Sequence, residues 1–476
     1  MTRRRLAACL LGVLLVECSP APKEVVAGFR PLKAPPGQAA PTLHAALTLP
    51  VASTIAPTPV LEATLPDPTR EWPQPGMYGV PSPAATPIPP PVPPIVFNPD
   101  DVNVVLIGAD LNTTDGSRTD VIIIASIRPG TGDVVLVSVP RDLYVYLPGY
   151  AMQRINTAWI YGEKYGYPGG GFGMLRDAIL YNLGIPIQNY VRVDMSGFRR
   201  EINNLGGIDV LVACPYTDWR LRSPSAPVED EESWVLFTVP TGKIHMNGDY
   251  ALWYARSRAR SSDFDRARRQ HEVLRAIYRQ ALRLEMIPRL PELYGDLTEI
   301  LAMDLSLGEL VSLAPMATQF EPSRIRSRFI GRDQVIAWKI PSSGAQVLVP
   351  KPAEIESLLT EAYAAPVLDP LVPSQPEITV QIVNQSRHPD WDLLAAERLT
   401  YAGFQTVIAD DEPQSGSVSQ VVELDQSADV ASQQVLQAVG LTGQQLITAP
   451  DSLSPFQFRL VIGTNYQPCF NPTQGQ

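Results

Sequence analysis

The chain has 476 residues, 45% of them hydrophobic, which is enough for two or three domains and at least one large core. Its formal net charge of −11 argues against nucleic acid as the main partner, because contacts with nucleic acid phosphates need a basic surface. A local cluster of arginines on such an acidic chain is therefore informative.

Residues 1–18 have the pattern of a bacterial export signal. Three arginines precede an apolar run from Leu6 to Val16, which is too short to span a bilayer comfortably and is typical of a signal-peptide core. The run ends in L-V-E-C-S, which places Cys18 where a bacterial lipoprotein is cleaved and lipidated. Glu17 departs from that pattern, so a retained anchor and simple secretion stay open. All three alternatives place the folded domains outside the cytoplasmic membrane.

Residues 19–99 are expected to form a disordered tether. They hold 22 of the 48 prolines, carry few charges and show no sustained periodicity. An extended Pro-rich chain rises about 3 Å per residue, so this segment can hold the folded part tens of Å from the membrane surface.

Residues 100–364 are expected to form a first domain in which strands and helices are mixed. The expected strands cover 102–108, 121–127, 134–139, 190–194, 208–212, 325–330, 334–340 and 345–349. The expected helices cover 174–183, 197–205, 249–256, 264–284, 291–303, 306–319 and 351–364, with Asn247 as the N-cap of the third. This pattern predicts an α/β or α+β fold with three layers, helix on sheet on helix.

A second Pro-rich linker is expected at residues 365–376, followed by a small α/β module at 377–466 and a tail at 467–476. The module is expected to contain strands at 378–384, 404–408, 418–424 and 457–462, and helices at 390–402 and 428–439. Outside the signal the chain has two cysteines, Cys214 and Cys469, and both a disulfide and two buried free thiols stay open.

The stretch from 117 to 142 carries charged pairs at the ends of two apolar strands. An R-P-G-T-G-D turn joins the strands, Arg118 and Asp120 stand before the first, and Arg141 and Asp142 follow the second. Because such strands are buried, both pairs are expected on one rim of the sheet. Guanidinium and carboxylate groups together suit a diphosphate with a divalent metal, and the alternative is a simple salt-bridged hairpin.

Two further segments supply charged groups. The first strand ends in G-A-D, which places Asp110 at its exit, and residues 254–270 hold six arginines. On the helix expected there, Arg266 and Gln270 lie four residues apart on one face, and Arg269 lies three residues from Arg266.

Six motifs in a fixed order make the chain resemble the LytR-CpsA-Psr family of cell-envelope proteins. They are G-A-D (108–110), S-R-T-D (117–120), S-V-P-R-D (138–142), R-I-N-T-A-W (154–159), Y-A-R-S-R (254–258) and D-F-D-R-A-R-R-Q (263–270). The resemblance covers residues 100–285 and extends to 364. It implies a phosphotransferase that moves a glycan from an undecaprenyl diphosphate carrier onto a cell-wall acceptor. The last module is similar to the C-terminal domain often appended to this family, and wall or partner binding is expected of it.

The resemblance also implies a role for each residue of these motifs. Asp110 and Asp120 would hold Mg²⁺ or Mn²⁺; Arg118, Arg141, Arg256, Arg258 and Arg266 would be catalytic; and Arg154, Gln270, Arg269 and Asp142 would bind substrate. Arg154 stands where the family usually has lysine, Asp265 where it has glycine and His271 where a second glutamine is common. His271 is expected to be a solvated helix residue.

Three features of the mechanism stay open in the sequence. The general base for the acceptor hydroxyl could be Asp110, Asp120 or Asp142, or the metal could activate the hydroxyl. Apolar stripes on the helices could form a slot for a polyprenyl tail, although such stripes usually face the core. Ser126 and Ser138 lie in strands and are expected to have no histidine partner, which argues against a hydrolase triad. The alternatives to a transferase are a lipid-diphosphate-binding scaffold or sensor and a lipid pyrophosphatase.

Overall fold

The computed structural model describes residues 70–79, 85–109, 119–130, 132–223, 225–261, 263–283, 291, 294–295, 298, 301–319, 325–364, 378–409, 416–425 and 429–470. Cys18, Asp110 and Arg118 lie outside these ranges, as does the predicted signal. No helix in the described ranges has the length and apolar character needed to cross a membrane.

A six-stranded mixed sheet forms the centre of the first domain. Its strands, in order across the sheet, are β11 (Leu301–Met303), β6 (Asn189–Asp194), β1 (Val102–Ala109), β2 (Thr119–Arg128), β3 (Asp133–Ser138) and β12 (Ile325–Phe329). The β1–β6 and β3–β12 pairs are parallel, and the other neighbours are antiparallel. The strands predicted for β1, β2, β3 and β6 are confirmed, and their apolar runs follow from burial on both faces.

The other elements of this domain surround the central sheet. Four two-stranded ribbons pair β4 (Tyr144–Tyr146) with β5 (Met152–Arg154), β7 (Ile208–Val212) with β10 (Gly242–Met246), β8 (Tyr216–Leu221) with β9 (Trp234–Val239), and β13 (Val335–Lys339) with β14 (Gln346–Pro350). The helices are α1 (Ala158–Lys164), α2 (Gly170–Leu183), α3 (Met195–Asn204), α4 (Gly248–Arg256), α5 (Asp263–Arg283), α6 (Leu307–Gln319) and α7 (Pro352–Tyr363).

Side-chain alternation along the strands divides the helices into two layers. In β1, Val104 and Leu106 belong to one buried cluster with residues of α3, α4, α5 and α6. Val105 and Ile107 belong to a second cluster with residues of α1, α2 and α7. Because successive side chains of a strand point to opposite faces, the sheet is the middle layer, and the predicted three-layer α/β fold is confirmed.

The structure confirms one predicted helix cap and contradicts part of one predicted helix. The side chain of Asn247 accepts a hydrogen bond from the backbone N–H of Tyr250 at the start of α4, so the predicted N-cap is confirmed. The prediction of helix through 301–303 is wrong, because these residues pair antiparallel with β6. A three-residue edge strand is fixed by backbone hydrogen bonds to its neighbour and leaves no reliable side-chain period.

The end of the Pro-rich segment packs against the first domain. Arg70 pairs with the buried carboxylate of Asp177 at 2.6 Å. Trp72 contacts Tyr181 edge to face, with ring centroids 4.9 Å apart. The expectation of a disordered tether over 19–99 therefore needs correction at residues 70–79 and 85–99, where the chain makes aromatic and ionic contacts with the first domain.

The C-terminal module has its own sheet and core. Its strands, in order across the sheet, are β16 (Gln405–Ile408), β15 (Thr379–Asn384), β19 (Phe458–Ile462), β17 (Gln420–Glu423) and β18 (Leu446–Thr448). Its helices are α8 (Trp391–Tyr401) and α9 (Asp429–Val439). Buried side chains of both helices and of the sheet form a cluster of their own, which makes this a compact α/β unit.

A disulfide and an ion cluster join the module to the first domain. Cys214 and Cys469, which are 255 residues apart in the sequence, form a disulfide. Of the two alternatives left open by the sequence, the disulfide is therefore correct and the pair of free thiols is wrong. Glu397 of α8 pairs with Arg279 at 2.9 Å and with Arg275 at 3.3 Å, both on α5. A structural disulfide of this kind is typical of proteins that fold in an oxidising, extracytoplasmic compartment.

Reducing this disulfide is expected to lower the free energy of unfolding by about 2–4 kcal/mol, because a long loop is no longer closed in the unfolded chain. Calorimetry of the purified full chain with and without dithiothreitol measures the change as a lower melting temperature. The matched control is a C214S/C469S variant, which should melt at the lower temperature and no longer respond to dithiothreitol. Equal melting temperatures for all samples would show that the disulfide does not stabilise the folded protein.

Candidate functional site

The β2–β3 hairpin brings two charged groups of the sequence motifs together. Its antiparallel register places the start of β2 beside the end of β3. Asp120 and Arg141 meet there, with Oδ1 and Nη1 2.6 Å apart. Arg256, the last residue of α4, approaches the other carboxylate oxygen of Asp120 at 3.7 Å. Three segments that are distant in sequence thus converge on one carboxylate.

The ion pairs continue along the rim of the sheet. Asp142 lies 3.5 Å from Arg141 and 3.5 Å from Arg154, which gives an alternating row of guanidinium and carboxylate groups. The guanidinium of Arg154 also donates to the backbone oxygen of Gln346 in the β13–β14 ribbon, at 2.8 and 3.1 Å. Alternating signs allow several guanidiniums to lie close together without strong repulsion, so the row is ordered before a ligand arrives.

A small cavity opens beside this row and is called the charged cavity below. The space there, including open solvent at its mouth, is about 400 Å³. It is lined by Asp120, Val121, Ile122, Ser138, Val139, Pro140, Arg141, Arg266, Ala267, Gln270, Phe329 and Ile330. Arg266 comes from α5 and is only 7% exposed. Two guanidiniums in a partly buried cavity suit an anion with several oxygens, because charge-assisted hydrogen bonds are strongest where water is excluded.

A larger apolar cavity lies between the sheet and the helices α3, α4 and α5. The space there, including open solvent at its mouth, is about 660 Å³. Its walls are Leu106, Ile107, Gly108, Val121, Ile123, Val191, Val193, Asp194, Met195, Phe198, Leu252, Ala255, Arg256, Gln270, Val273 and Leu274. Val121 and Gln270 belong to the walls of both cavities. The two cavities are therefore neighbours, and Arg256 stands on the wall of the apolar one.

Gln270 and Arg269 are adjacent in sequence but lie in different surroundings. Gln270 lines both cavities, and its Nε2 donates to the backbone oxygen of Ala255 at 3.2 Å. Arg269 is 0% exposed, and its guanidinium donates to the backbone oxygen of Ser257 at 2.5 Å and to that of Tyr254. It lines neither cavity. These contacts hold the α4–α5 junction together, and a role of Arg269 in substrate binding stays a prediction.

Two other residues of the motifs lie away from the cavity walls. Arg258 follows α4 at an exposed position, and the walls of the two cavities do not include it. Asp265 lies 2.7 Å from Arg268 and 3.3 Å from Arg269, so the acidic residue that replaces a usual glycine contacts the arginines of its own helix. Glu272 pairs with Arg268 on the same helix.

His271 differs from the expectation of a solvated helix residue, since it is only 1% exposed. Its Nε2 lies 2.7 Å from the Oγ of Ser138, and its Nδ1 lies 3.2 Å from the Oγ of Ser327. Burial, assisted by the nearby charge of Arg275, lowers the pKa of His271 to about 3, so the ring is neutral. The expectation that Ser138 lacks a histidine partner is therefore wrong.

The predicted metal ligands are seen only in part. Asp110 lies outside the described residues, while Asp120 lines the charged cavity. Within the described ranges, no group of three or more His, Cys, Asp or Glu side chains is arranged to hold a metal. Mg²⁺ is usually held by one or two carboxylates together with substrate phosphates. Asp120 supplies one such carboxylate, and metal binding there stays a prediction.

The sequence did not predict that α3 forms part of the wall of the apolar cavity. Asp194 ends β6 and caps α3 by accepting hydrogen bonds from the backbone of Ser196 and Gly197. Met195 and Phe198 then lie on the cavity wall. The available signal was V-D-M-S-G-F, in which an acidic N-cap follows a strand directly and an aromatic residue occupies the first helical turn.

Comparison with known proteins gives a consistent set of relatives. The chain is 30% identical over 216 residues to a polyisoprenyl-teichoic acid–peptidoglycan teichoic acid transferase, TagU, of Oceanobacillus iheyensis; the match covers 45% of this chain and 62% of the relative. It is 27% identical over 227 residues to TagT of Bacillus subtilis, which bears the same description, with 47% and 66% covered. The match thus spans just under two thirds of the length of these relatives.

The structure is similar to that of B. subtilis TagV, with a TM-score of 0.44, 25% identity, and coverage of 55% of this chain and 96% of that one. A structure of TagT bound to LIIa-WTA gives a TM-score of 0.42 and 23% identity, with coverage of 56% and 92%. The sequence profile of the LytR_cpsA_psr family matches residues 93–362, which is more than half of the chain. The chain therefore belongs to the LytR_cpsA_psr family.

Proposed function

We propose that the protein transfers a phosphoglycan from a polyprenyl diphosphate carrier to a cell-wall acceptor such as peptidoglycan. The observation that carries this proposal is that the apolar cavity and the charged cavity are adjacent, with Val121 and Gln270 in the walls of both. A polyprenyl diphosphate is an apolar chain joined directly to two phosphates. Such a ligand needs an apolar space beside an arginine-lined space.

The apolar cavity suits the prenyl part of the carrier. Apart from Asp194, Arg256 and Gln270, the residues of its walls are apolar. An isoprenoid has no hydrogen-bonding groups, so its transfer from water into such a space is favourable by about 25 cal/mol for each Å² of apolar surface buried. This binding energy would hold the carrier while the polar end reacts.

The guanidinium groups suit the diphosphate. Arg141 and Arg266 line the charged cavity, and Arg256 lies beside Asp120 at its edge. During phosphoryl transfer, charge builds up on the equatorial oxygens of the phosphoryl group, and fixed guanidiniums stabilise that charge. Arginine does not lose its proton at physiological pH, so these residues would clamp the phosphates and would not act as bases. The motif residues Arg118 and Arg258 would add to the clamp.

A divalent metal completes the proposal. Asp120 and Asp110 would hold Mg²⁺, which would supply positive charge for the phosphates and could activate the acceptor hydroxyl. Among the described residues of the charged cavity, Asp120 carries the one carboxylate, so it is our candidate for the metal ligand there. Its ion pair with Arg141 would hold the carboxylate toward the cavity.

The names of the relatives support the choice of substrates. They are called transferases of teichoic acid from a polyisoprenyl carrier to peptidoglycan. We infer that this chain uses a polyprenyl-linked anionic glycan of the same chemical class. We also propose that it works outside the cytoplasmic membrane, anchored through a lipid on Cys18. Mass spectrometry of the membrane-extracted protein tests the anchor, which an uncleaved and unmodified N-terminus would rule out.

The direct test is a transfer assay with purified protein, peptidoglycan, Mg²⁺ and an undecaprenyl diphosphate-linked glycan labelled at the phosphorus next to the glycan. Transfer would break the bond between the two phosphates, so the glycan and its phosphate move to the acceptor and undecaprenyl phosphate leaves. The expected product is peptidoglycan carrying the label in a phosphodiester, and chelation of the metal with EDTA should lower its formation. Release of the label to water in place of transfer would favour a pyrophosphatase. Tight binding of the lipid without any turnover would favour the scaffold.

A further inference from the structure

The side chains of Ser138, His271 and Ser327 form a hydrogen-bonded series that ends at the charged cavity. In β3, Val134 and Leu136 face the layer that contains α5, and the two-residue period of the strand puts Ser138 on the same face. Ser138 lies on the wall of the charged cavity, and the imidazole of His271 contacts it from behind.

The orientation of the hydroxyl depends on the tautomer of His271. A neutral imidazole has one N–H donor and one acceptor nitrogen, and each nitrogen here has a serine hydroxyl within 3.2 Å. If Nε2 carries the proton, it donates to the Oγ of Ser138, and the hydrogen of that hydroxyl is left to point into the cavity. If Nδ1 carries the proton, the Ser138 hydroxyl donates to the ring, and its lone pairs face the cavity.

An anion in the cavity selects the first arrangement. Phosphate oxygens attract a hydroxyl hydrogen and repel hydroxyl lone pairs. In the first arrangement Ser327 donates to Nδ1, Nε2 donates to Ser138, and Ser138 donates to the anion, so that all three dipoles point the same way and strengthen one another. Because burial lowers the pKa of His271 to about 3, the ring is a poor acceptor for the serine proton, which argues against Ser138 as an activated nucleophile.

We propose that Ser138, oriented by His271, donates a hydrogen bond to a phosphate of the lipid diphosphate in the charged cavity. The inference rests on the proposed function, because it assigns two further residues to the same site. Ser138 contacts the ligand in this scheme, and His271 is a positioning residue. The guanidiniums of Arg141 and Arg266 supply charge on the same cavity wall, and Ser138 adds a neutral donor whose direction is fixed.

The test measures binding of farnesyl diphosphate and of the uncharged alcohol farnesol to the purified full chain. S138A should weaken farnesyl diphosphate binding roughly tenfold to a hundredfold, the range for a lost hydrogen bond to a charged group, and leave farnesol binding unchanged. A purely structural role would change both affinities alike. H271Q retains an N–H donor and should stay within about threefold of wild type, whereas H271L should match S138A.

Two measurements check the mechanism of the effect. In a double-mutant cycle, S138A/H271L should lose no more affinity than either single variant, since both remove one interaction. Imidazole ¹⁵N spectra of the farnesyl diphosphate complex, with H271Q to assign the signal, should place the His271 proton on Nε2. A proton on Nδ1 contradicts the proposal, as does a phosphoryl group on Ser138 in the intact-protein mass.

Failure of this inference can be told apart from failure of the proposed function. If the wild-type protein binds farnesyl diphosphate and S138A binds it equally well, the role of Ser138 is refuted and the proposed function stands. If the wild-type protein binds farnesol but not farnesyl diphosphate, or neither ligand, both proposals are refuted.

Discussion

Replacing Arg141 by alanine is expected to lower the rate of glycan transfer by roughly 10³-fold, within the range measured when a charge-stabilising group is removed from a phosphoryl- or acyl-transfer site. Arg141 lies between Asp120 and Asp142 and lines the charged cavity. Its loss removes a fixed positive charge next to the reacting phosphoryl group. The negative charge of Asp120 repels the diphosphate, and without Arg141 one guanidinium fewer offsets this repulsion. Single-turnover kinetics with the labelled lipid would measure the change.

R141K and R176A are the matched controls. Lysine keeps the charge but cannot form two parallel hydrogen bonds, so R141K should recover only part of the rate. Arg176 lies on α2, in the opposite helical layer, and its loss should leave the rate within about twofold of wild type. Asp120 and Asp142 keep Arg256 and Arg154 as neighbours, so R141A should stay folded. A rate for R141A near that of wild type would refute the proposed clamp.

Filling the apolar cavity is expected to weaken the binding of long polyprenyl diphosphates by a large factor. Val273 on α5 forms part of the cavity wall, and V273W would place an indole ring where the chain is proposed to lie. Each CH₂ group kept out of the cavity costs about 0.8 kcal/mol, so excluding four of them should weaken undecaprenyl diphosphate binding by at least about 100-fold. Titration with fluorescent or calorimetric detection measures this affinity.

A tryptophan introduced on the protein surface is the matched control for V273W. Val311 on α6 is 42% exposed, and V311W adds the same ring away from the cavity walls, so lipid affinity should not change. Inorganic pyrophosphate provides the complementary control, since it reaches only the charged cavity and should bind V273W as it binds the wild type. Undiminished binding of the long lipid to V273W would show that the prenyl chain lies elsewhere.

The sequence by itself determined much of the central sheet and the rim. The apolar runs that form β1, β2 and β3 are continuous because both faces of the sheet are buried, and this property can be read without knowledge of the partners. The antiparallel hairpin then requires that groups flanking its outer ends meet, as Asp120 and Arg141 do. The four-residue spacing of Arg266 and Gln270 likewise predicted a shared face, and both line the charged cavity.

The tertiary structure decided what local periodicity could not. Arg269 and His271 lie on the helix that carries Arg266, yet both are buried by contacts with α4, β3 and β12 that come from distant parts of the chain. The Cys214–Cys469 bond and the edge strand at 301–303 depend in the same way on segments far apart in sequence. A cavity is space left between packed elements, so its existence depends on how α3, α4 and α5 meet the sheet. Spacing along one element fixes which residues share a face, whereas burial and partnership are set by the elements packed against that face.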